Sequence, residues 1–427
     1  MSDEAQPFTG IRVVEFGQFV AVPFCAQLLS DGGADVIKVE SLQGDPTRHF
    51  SQLAPGQTRV FLSRNRGKRS LPLSLRAEGA SLVLDALLAW ADVVLTNFRP
   101  GLAVQFGLDA ESLAKSHPSL IVGNVTAFGT KGPDANLAGM DIVVQARSGL
   151  MTANGRTVDG RPASGDPVSA DYMCATTLAF GVASALLRRE RTGRGGSIDV
   201  SLMHAAMALA NNQLIRSEHH DRAEHEAAKA TLSAQRIAGV SYEEQAESLP
   251  ASRPIPFRYL YFRTYDTADG TVAVACIARK LREAFIETLG FSDKGLDDPD
   301  PSGREWQAYY HELRTQCEVA FRKRSGAEWI ATFSAIGVPI GEVRFPLELF
   351  DDEQALANEM IVSLDHPEIG ELRVVGPTVR MDGDGFRAKA PTAPLGVDTY
   401  DVLRDIGLSA EDVDTLIQSN VTKRNTE

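Results

Sequence analysis

Four cysteines in 427 residues, Cys25, Cys174, Cys276 and Cys317, stand far apart and form no CxxC pair, which speaks against a disulfide framework or a zinc ribbon. Basic charge is also short: 43 Lys and Arg against 56 Asp and Glu leave a net charge of −13, where a nucleic-acid binder normally carries the opposite excess. No run approaches the roughly 18 apolar residues of a membrane helix, and residues 1–10 show neither a basic nor an apolar leader region. The run Gly17-Gln18-Phe19-Val20-Ala21-Val22 lacks the GxGxxG spacing of a dinucleotide site, although Glu40 ends the second predicted strand where a ribose-binding acid belongs. A GxSxG nucleophile elbow is missing too, as are repeats and low-complexity tracts. The expectation is a cytoplasmic protein with no metal, no NAD, no nucleic-acid partner and no membrane partner.

What is present is an alternation of short apolar strands and helices. Strands are predicted over residues 11–16, 34–39, 92–96 and 120–125, with helices over 23–30, 77–90 and 110–115. Such βαβ succession predicts an α/β fold with a doubly wound parallel sheet. Ligands of that architecture lie beyond the carboxyl ends of the strands, which singles out Gln18, Ser41, Asn97 and Thr126. Residues 213–256 turn to Glu, Ala, Arg, Lys and His and predict an exposed helical connector. His219, His220 and His225 within it have no facial spacing for a metal and read as a solvated face. A smaller α+β domain is expected over residues 257–330, beginning with a hairpin turned at Asp269-Gly270, and residues 331–427 are expected to return to the large domain begun by residues 1–212.

Two features carry chemistry. Asp171 stands among small residues at the start of an apolar helix that Gly193 ends. It reads either as a plain N-cap or as a nucleophile kept ionised by the positive helix end. Arg64-Asn65-Arg66-Gly67-Lys68-Arg69 is either a solvated loop or a phosphate site, since guanidinium groups beside a glycine amide match phosphate oxygens.

The chain resembles the family III CoA-transferases, the CaiB/BaiF family. The resemblance rests on Gly33-Ala34-Asp35-Val36-Ile37-Lys38-Val39-Glu40, Gly44-Asp45-Pro46-Thr47-Arg48, Lys68-Arg69-Ser70, Asn97-Phe98-Arg99-Pro100-Gly101, Gly129-Thr130-Lys131-Gly132-Pro133, Arg191-Thr192-Gly193-Arg194-Gly195 and Pro394-Leu395-Gly396, in that order and spacing. It implies a Rossmann-like large domain built from both chain ends, a small domain between them, and an interlocked homodimer. It implies further that Asp171 is the catalytic carboxylate, forming mixed-anhydride and aspartyl-CoA thioester intermediates as CoA passes from an acyl-CoA donor to a carboxylic acid. By matching positions, CoA lies along Val20, Ala21, Asn65, Arg66, Gly67, Lys68, Asn97, Phe98, Arg99, Gln105, and Ala138 to Asp141, including Gly139 and Met140.

Departures from the pattern concern specificity: His204 stands where relatives often have Asp, Gln105 for a common arginine, Ala138 for a lysine, and Val397-Asp398 for a Glu-His pair. The segment 248–257 holds no glycine, unlike the glycine-rich loop that covers the site in formyl-CoA-transferase-like members. An acyl-CoA racemase of the same family needs a proton-exchanging histidine where this chain has Met140. A non-catalytic CoA-binding subunit is the other alternative, and retention of Asp171 speaks against it.

Overall fold

In the computed structural model, which describes residues 6–165, 167–249, 258–298, 304–383 and 385–425, the apolar strands assemble into one six-stranded parallel sheet. Its strands are β1 (Arg12–Phe16), β2 (Asp35–Glu40), β3 (Arg69–Pro72), β4 (Val93–Thr96), β5 (Ile121–Thr126) and β6 (Gly196–Ser201), ordered β6-β5-β4-β1-β2-β3. Read from β3, this is the 3-2-1-4-5-6 order of the doubly wound fold, whose connections reverse direction between β1 and β4. The four predicted strands fall on β1, β2, β4 and β5. The two edges have no counterpart among them: β3 follows the charged run, and β6 exposes Ser197 and Asp199 instead of showing an apolar run.

Neighbouring residues on a strand enter opposite layers, because side chains alternate across a sheet. Val13, Val93, Leu95 and Ile121 pack on one face with Cys25 and Leu29 of α1 (Ala21–Asp31) and with Cys174, Leu178 and Val182 of a long helix. Val14, Ile37 and Val94 pack on the other with Val83 and Leu87 of α2 (Ala80–Trp90), and with Val402, Leu403, Val413 and Leu416 of the C-terminal helices. The chain's end therefore completes the second layer over strands formed at its beginning. Two further helices matter for the site: α3 (Asp141–Ser148) and α4 (Ser169–Thr192), the long helix just mentioned. By length and composition α4 alone among the described helices could cross a membrane, which corrects the reading that no such stretch exists. One face of it, including Cys174, Leu178, Val182 and Leu186, is instead buried in the first layer, where each leucine-sized side chain contributes about 1.5–3 kcal/mol, while Phe180 and Leu187 are exposed.

Contacts divide the chain into two units, one of Met1–His225, Ala238–Glu243 and Glu353–Glu427, the other of Glu226–Ile237 and Glu244–Asp352. The second unit holds an antiparallel sheet of Phe262–Asp266, Thr271–Ala275 and Ile340–Glu342. Because Ile340 pairs with Val274 and Glu342 with Val272, the chain stays in this unit to Asp352, past the expected boundary at 330. The hairpin's first strand is shorter than expected, since Arg258–Tyr261 forms a helical turn; Phe257 lies outside the described residues. Aromatic packing fills this core, with Tyr265 stacked on Phe321 at 4.3 Å. The helices Arg222–Ile237 and Tyr242–Glu247 bury no residue.

Candidate active site

The loops after β1, β4 and β5 meet the start of α4 at the carboxyl edge of the sheet, where the connections diverge. Across that point Asn97 closes a reciprocal bridge: its Oδ1 accepts from the Gln18 amide at 3.1 Å and its Nδ2 donates to the Gln18 carbonyl at 2.8 Å. The next residue, Phe19, has φ 66°, a left-handed conformation that a bulky side chain adopts only when its surroundings hold it there. A cleft of about 390 Å³ opens here, lined on one side by Gln18, Phe19, Asn97, Phe98, Arg99 and Thr126, and on the other by Ala138, Gly139, Met140 and Asp171.

Asp171 is the third residue of α4 and makes no capping bond; the cap residue, Val168, has no side-chain acceptor either. The cap comes from α3. Asp141 Oδ1 accepts from the Ala170 and Asp171 amides at 2.9 and 3.1 Å, while Oδ2 takes a hydrogen bond from Gln145. The plain N-cap reading of Asp171 is thereby removed, because another carboxylate performs that task. The expectation that the helix end keeps Asp171 ionised is also corrected. The amides that would have favoured its anion are bound to Asp141, and burial, with the Asp141 charge beside it, pushes the Asp171 carboxyl up to about 7. Arg64 opposes that push.

The predicted site residues divide into two sets. Ala21, Asn97, Phe98, Arg99, Gly139 and Met140 line the cleft with Asp171. Val20, Asn65, Arg66, Gly67, Lys68 and Gln105 are not among its lining. Val20 is buried at the start of α1, and Gln105 is exposed at the end of the short helix Pro100–Gln105. The basic run turns inward. Arg66 pairs with Asp31 through two nitrogens, at 2.8 and 2.6 Å, and Lys68 bonds Glu15 at 2.7 Å and Asn65 Oδ1 at 2.8 Å. Gly67 serves the turn: its φ is 71°, and its carbonyl accepts from Ser30 Oγ at 3.0 Å. As a cradle for phosphate the run has no open cations at these positions, since carboxylates of α1 and β1 already hold them. Glu40, the residue that suggested a ribose site, is bound by Arg48 at 2.7 and 2.8 Å.

A second cleft, of about 380 Å³, shares Gln18, Phe98 and Leu102 with the first and continues along the strand ends past Ser41, a predicted strand-end candidate, to Ser74, Leu75 and Arg76, which sequence reasoning missed. Arg76 follows β3, an edge strand hidden behind the charged run, so no sequence periodicity pointed to it. Asp141 was expected only as the end of a CoA-lining stretch; its capping of α4 was missed, because only the fold brings its carboxylate to those amides.

A parallel sheet, a carboxylate freed from capping and an elongated groove beside it are features that a family comparison can test. The profile of CoA-transferase family III matches residues 8–399. The chain belongs to that family. It is similar to a probable fatty acyl-CoA transferase of Mycobacterium tuberculosis, 32% identical over 340 residues that span 79% of this chain and 82% of that one. It is also similar to an acetyl-CoA:oxalate CoA-transferase of Acetobacter aceti, 30% identical with 91% and 92% coverage. Among solved structures, a CaiB/BaiF family protein from Brucella suis superposes with a TM-score of 0.73 at 27% identity, covering 94% of this chain and all of its own. The CoA-transferase assignment gives the groove a ligand class. Met140, at the position where a racemase of the family needs a histidine, lines the cleft and has no proton to exchange. Most of the segment expected to matter for covering the site, residues 250–257, lies outside the described residues.

Proposed function

We propose that this CoA-transferase works by covalent catalysis on Asp171. The observation that carries the reading is the Asp141 cap, which leaves the Asp171 carboxylate in the cleft with no hydrogen bond of its own among the described residues. Asp171 attacks the thioester carbonyl of an acyl-CoA, and CoA leaves as thiolate. The thiolate returns to the Asp171 carbonyl and releases the donor acid; the acceptor acid then displaces CoA from the aspartyl thioester. The Ala170 and Asp171 amides are held by Asp141, so the side chain of Gln18, a residue that lines the cleft, is the donor we assign to the developing oxyanion.

The two clefts together form the route for CoA. Its thiol end lies between Phe19 and Met140, the pantetheine passes the Gln18–Asn97 bridge, and Arg99 and Arg76, both exposed cations on this route, meet its phosphates. We further propose a homodimer in the cytoplasm. The first unit exposes apolar side chains that a second copy would cover, including Phe180, Leu187 and Ile215, and all four cysteines are buried as free thiols, as in a reducing compartment.

The test is peptide mass spectrometry after incubation with a panel of acyl-CoAs and hydroxylamine. A hydroxamate on the Asp171 peptide, absent from Asp171→Ala, supports the reading and names a donor. CoA binding without any adduct across the panel overturns it.

A further inference from the structure

The covalent reading, on which the following rests, requires a second carboxylate beside Asp171: the donor acid as it leaves and the acceptor as it enters. Asp141 already places one negative charge there. When the acid enters, Asp171 is a neutral thioester, so the anion meets the Asp141 carboxylate in a desolvated site, and a cation beside it offsets that repulsion.

Arg64 is not among the residues that line the cleft, but it supplies a cation beside Asp171, held there through Tyr172. It follows the helical turn Arg59–Leu62, and its Nε donates to the Tyr172 hydroxyl at 3.2 Å, with the guanidinium 5.5 Å from the ring centroid. Tyr172 is in turn fixed by Phe24, edge to face at 4.9 Å. One edge of the guanidinium is thus pinned to the residue after the nucleophile, while its terminal nitrogens have no partner among the described residues. Its neighbours in the basic run differ: Arg66 is saturated by Asp31 and the Val375 carbonyl, and Arg69 by Asp35 and Asp405. Arg64 is half-buried, and its charge reaches Asp171. A guanidinium with both terminal N–H groups open matches the two oxygens of a carboxylate.

We propose that Arg64 is the acid-binding residue of this site, holding the small carboxylic acid next to Asp171. The acid's free oxygen then attacks the carbonyl carbon of the Asp171–CoA thioester, the C–S bond breaks and CoA leaves as thiolate with the electron pair. The thiolate attacks the acyl carbon of the resulting anhydride, and the C–O bond breaks to return the pair to the Asp171 carboxylate. No proton moves in either step, so the charge that Arg64 balances is present throughout.

The experiment separates the two half-reactions. The Asp171–CoA adduct is formed with acetyl-CoA, succinyl-CoA or octanoyl-CoA, freed of excess donor, and discharged with increasing acetate, oxalate, succinate or phenylacetate over a range of pH. In Arg64→Gln the half-saturating acid concentration is expected to rise at least tenfold at every pH while CoA binding is unchanged, and Arg64→Lys, which keeps the charge without the fork, is expected to recover part of the loss. Thermal denaturation confirms that both variants fold. An adduct in Arg64→Gln that discharges at the wild-type acid concentration overturns the proposal. So does a defect that is only an alkaline shift in the pH profile of adduct formation, since that places Arg64 on Asp171 and not on the acid. Failure of the unsubstituted protein to form any adduct counts instead against the covalent reading itself.

Discussion

Among the charges that the large unit buries, two groups are treated oppositely. In the first, Lys38 reaches Glu15 at 2.8 Å and Asp45 at 3.2 Å, and Lys68 reaches Glu15 at 2.7 Å, all four side chains being almost inaccessible to water. Every charge there has an opposite charge in contact. Even so, burial pulls the Lys68 ammonium down to about 8 against the attraction of Glu15. In the second group Asp171 is buried beside another carboxylate, Asp141, and Arg64 is held at Tyr172. The same desolvation acts in both places; a cation answers it in one, and in the other it is left standing to raise Asp171. One arrangement fixes the strand ends of the sheet, while the other leaves a carboxylate at higher energy where a reaction can use it.

Exchanging the two roles by mutation breaks the comparison most directly. Asp171→Ala is expected to lower transferase turnover by about 10⁴-fold or more, as loss of a covalent nucleophile does, with the melting temperature kept or raised. Glu15→Ala is expected to do the reverse kind of damage. It leaves the buried Lys68 with no carboxylate in contact and Lys38 with Asp45 alone, so chemical denaturation should show a loss of about 3–5 kcal/mol, and any fall in activity should follow the unfolded fraction. If Glu15→Ala is as stable as the parent, the ion-pair group is not what holds the strand ends.

This contrast also explains what could be read from the sequence. The sheet was legible because β1, β2, β4 and β5 are covered on both faces and so form continuous apolar runs, and Asp171 stood out as a lone carboxylate opening an apolar helix. The direction of the basic run was not legible. Asn65 to Lys68 look the same in a list of residues whether they face solvent or the carboxylates of Asp31 and Glu15, which lie more than thirty positions earlier. Arg76 and the capping role of Asp141 escaped for a related reason: each arises from tertiary approach, the first through an edge strand and the second through the packing of α3 on α4.

The raised carboxyl of Asp171 gives a signed prediction. The folded protein holds this proton up to about pH 7, whereas the unfolded chain releases it near its ordinary value, about 3.9. The group therefore favours the fold only while both states are protonated, and its contribution is lost as pH rises from about 4 through 7. Asp171→Asn should be more stable than the parent at pH 8 by a few kcal/mol, on the order of three pKa units at 1.36 kcal/mol each, and the difference should vanish at pH 4. Equal stabilities at pH 8 mean that Asp171 is paired in solution. Asp141→Asn sharpens the point. It keeps an acceptor for the Ala170 and Asp171 amides but removes the charge, so the rise of adduct formation with pH should move to lower pH, with a cost in stability of about 1 kcal/mol.

The smallest expected effect on catalysis concerns the bridge at the strand divergence, which resembles the ion-pair group in being fully satisfied but belongs to the site. Asn97→Ala removes two hydrogen bonds to Gln18, with an expected loss of about 1–3 kcal/mol and a several-fold rise in the KM for acyl-CoA. The bridge adjoins Phe19, whose φ of 66° has to be imposed by its surroundings. Phe19→Gly relieves that strain, so the bridge has less to hold in that background. The Asn97→Ala and Phe19→Gly effects on stability should combine to less than their sum, and strict additivity in the double-mutant cycle separates the bridge from the strain.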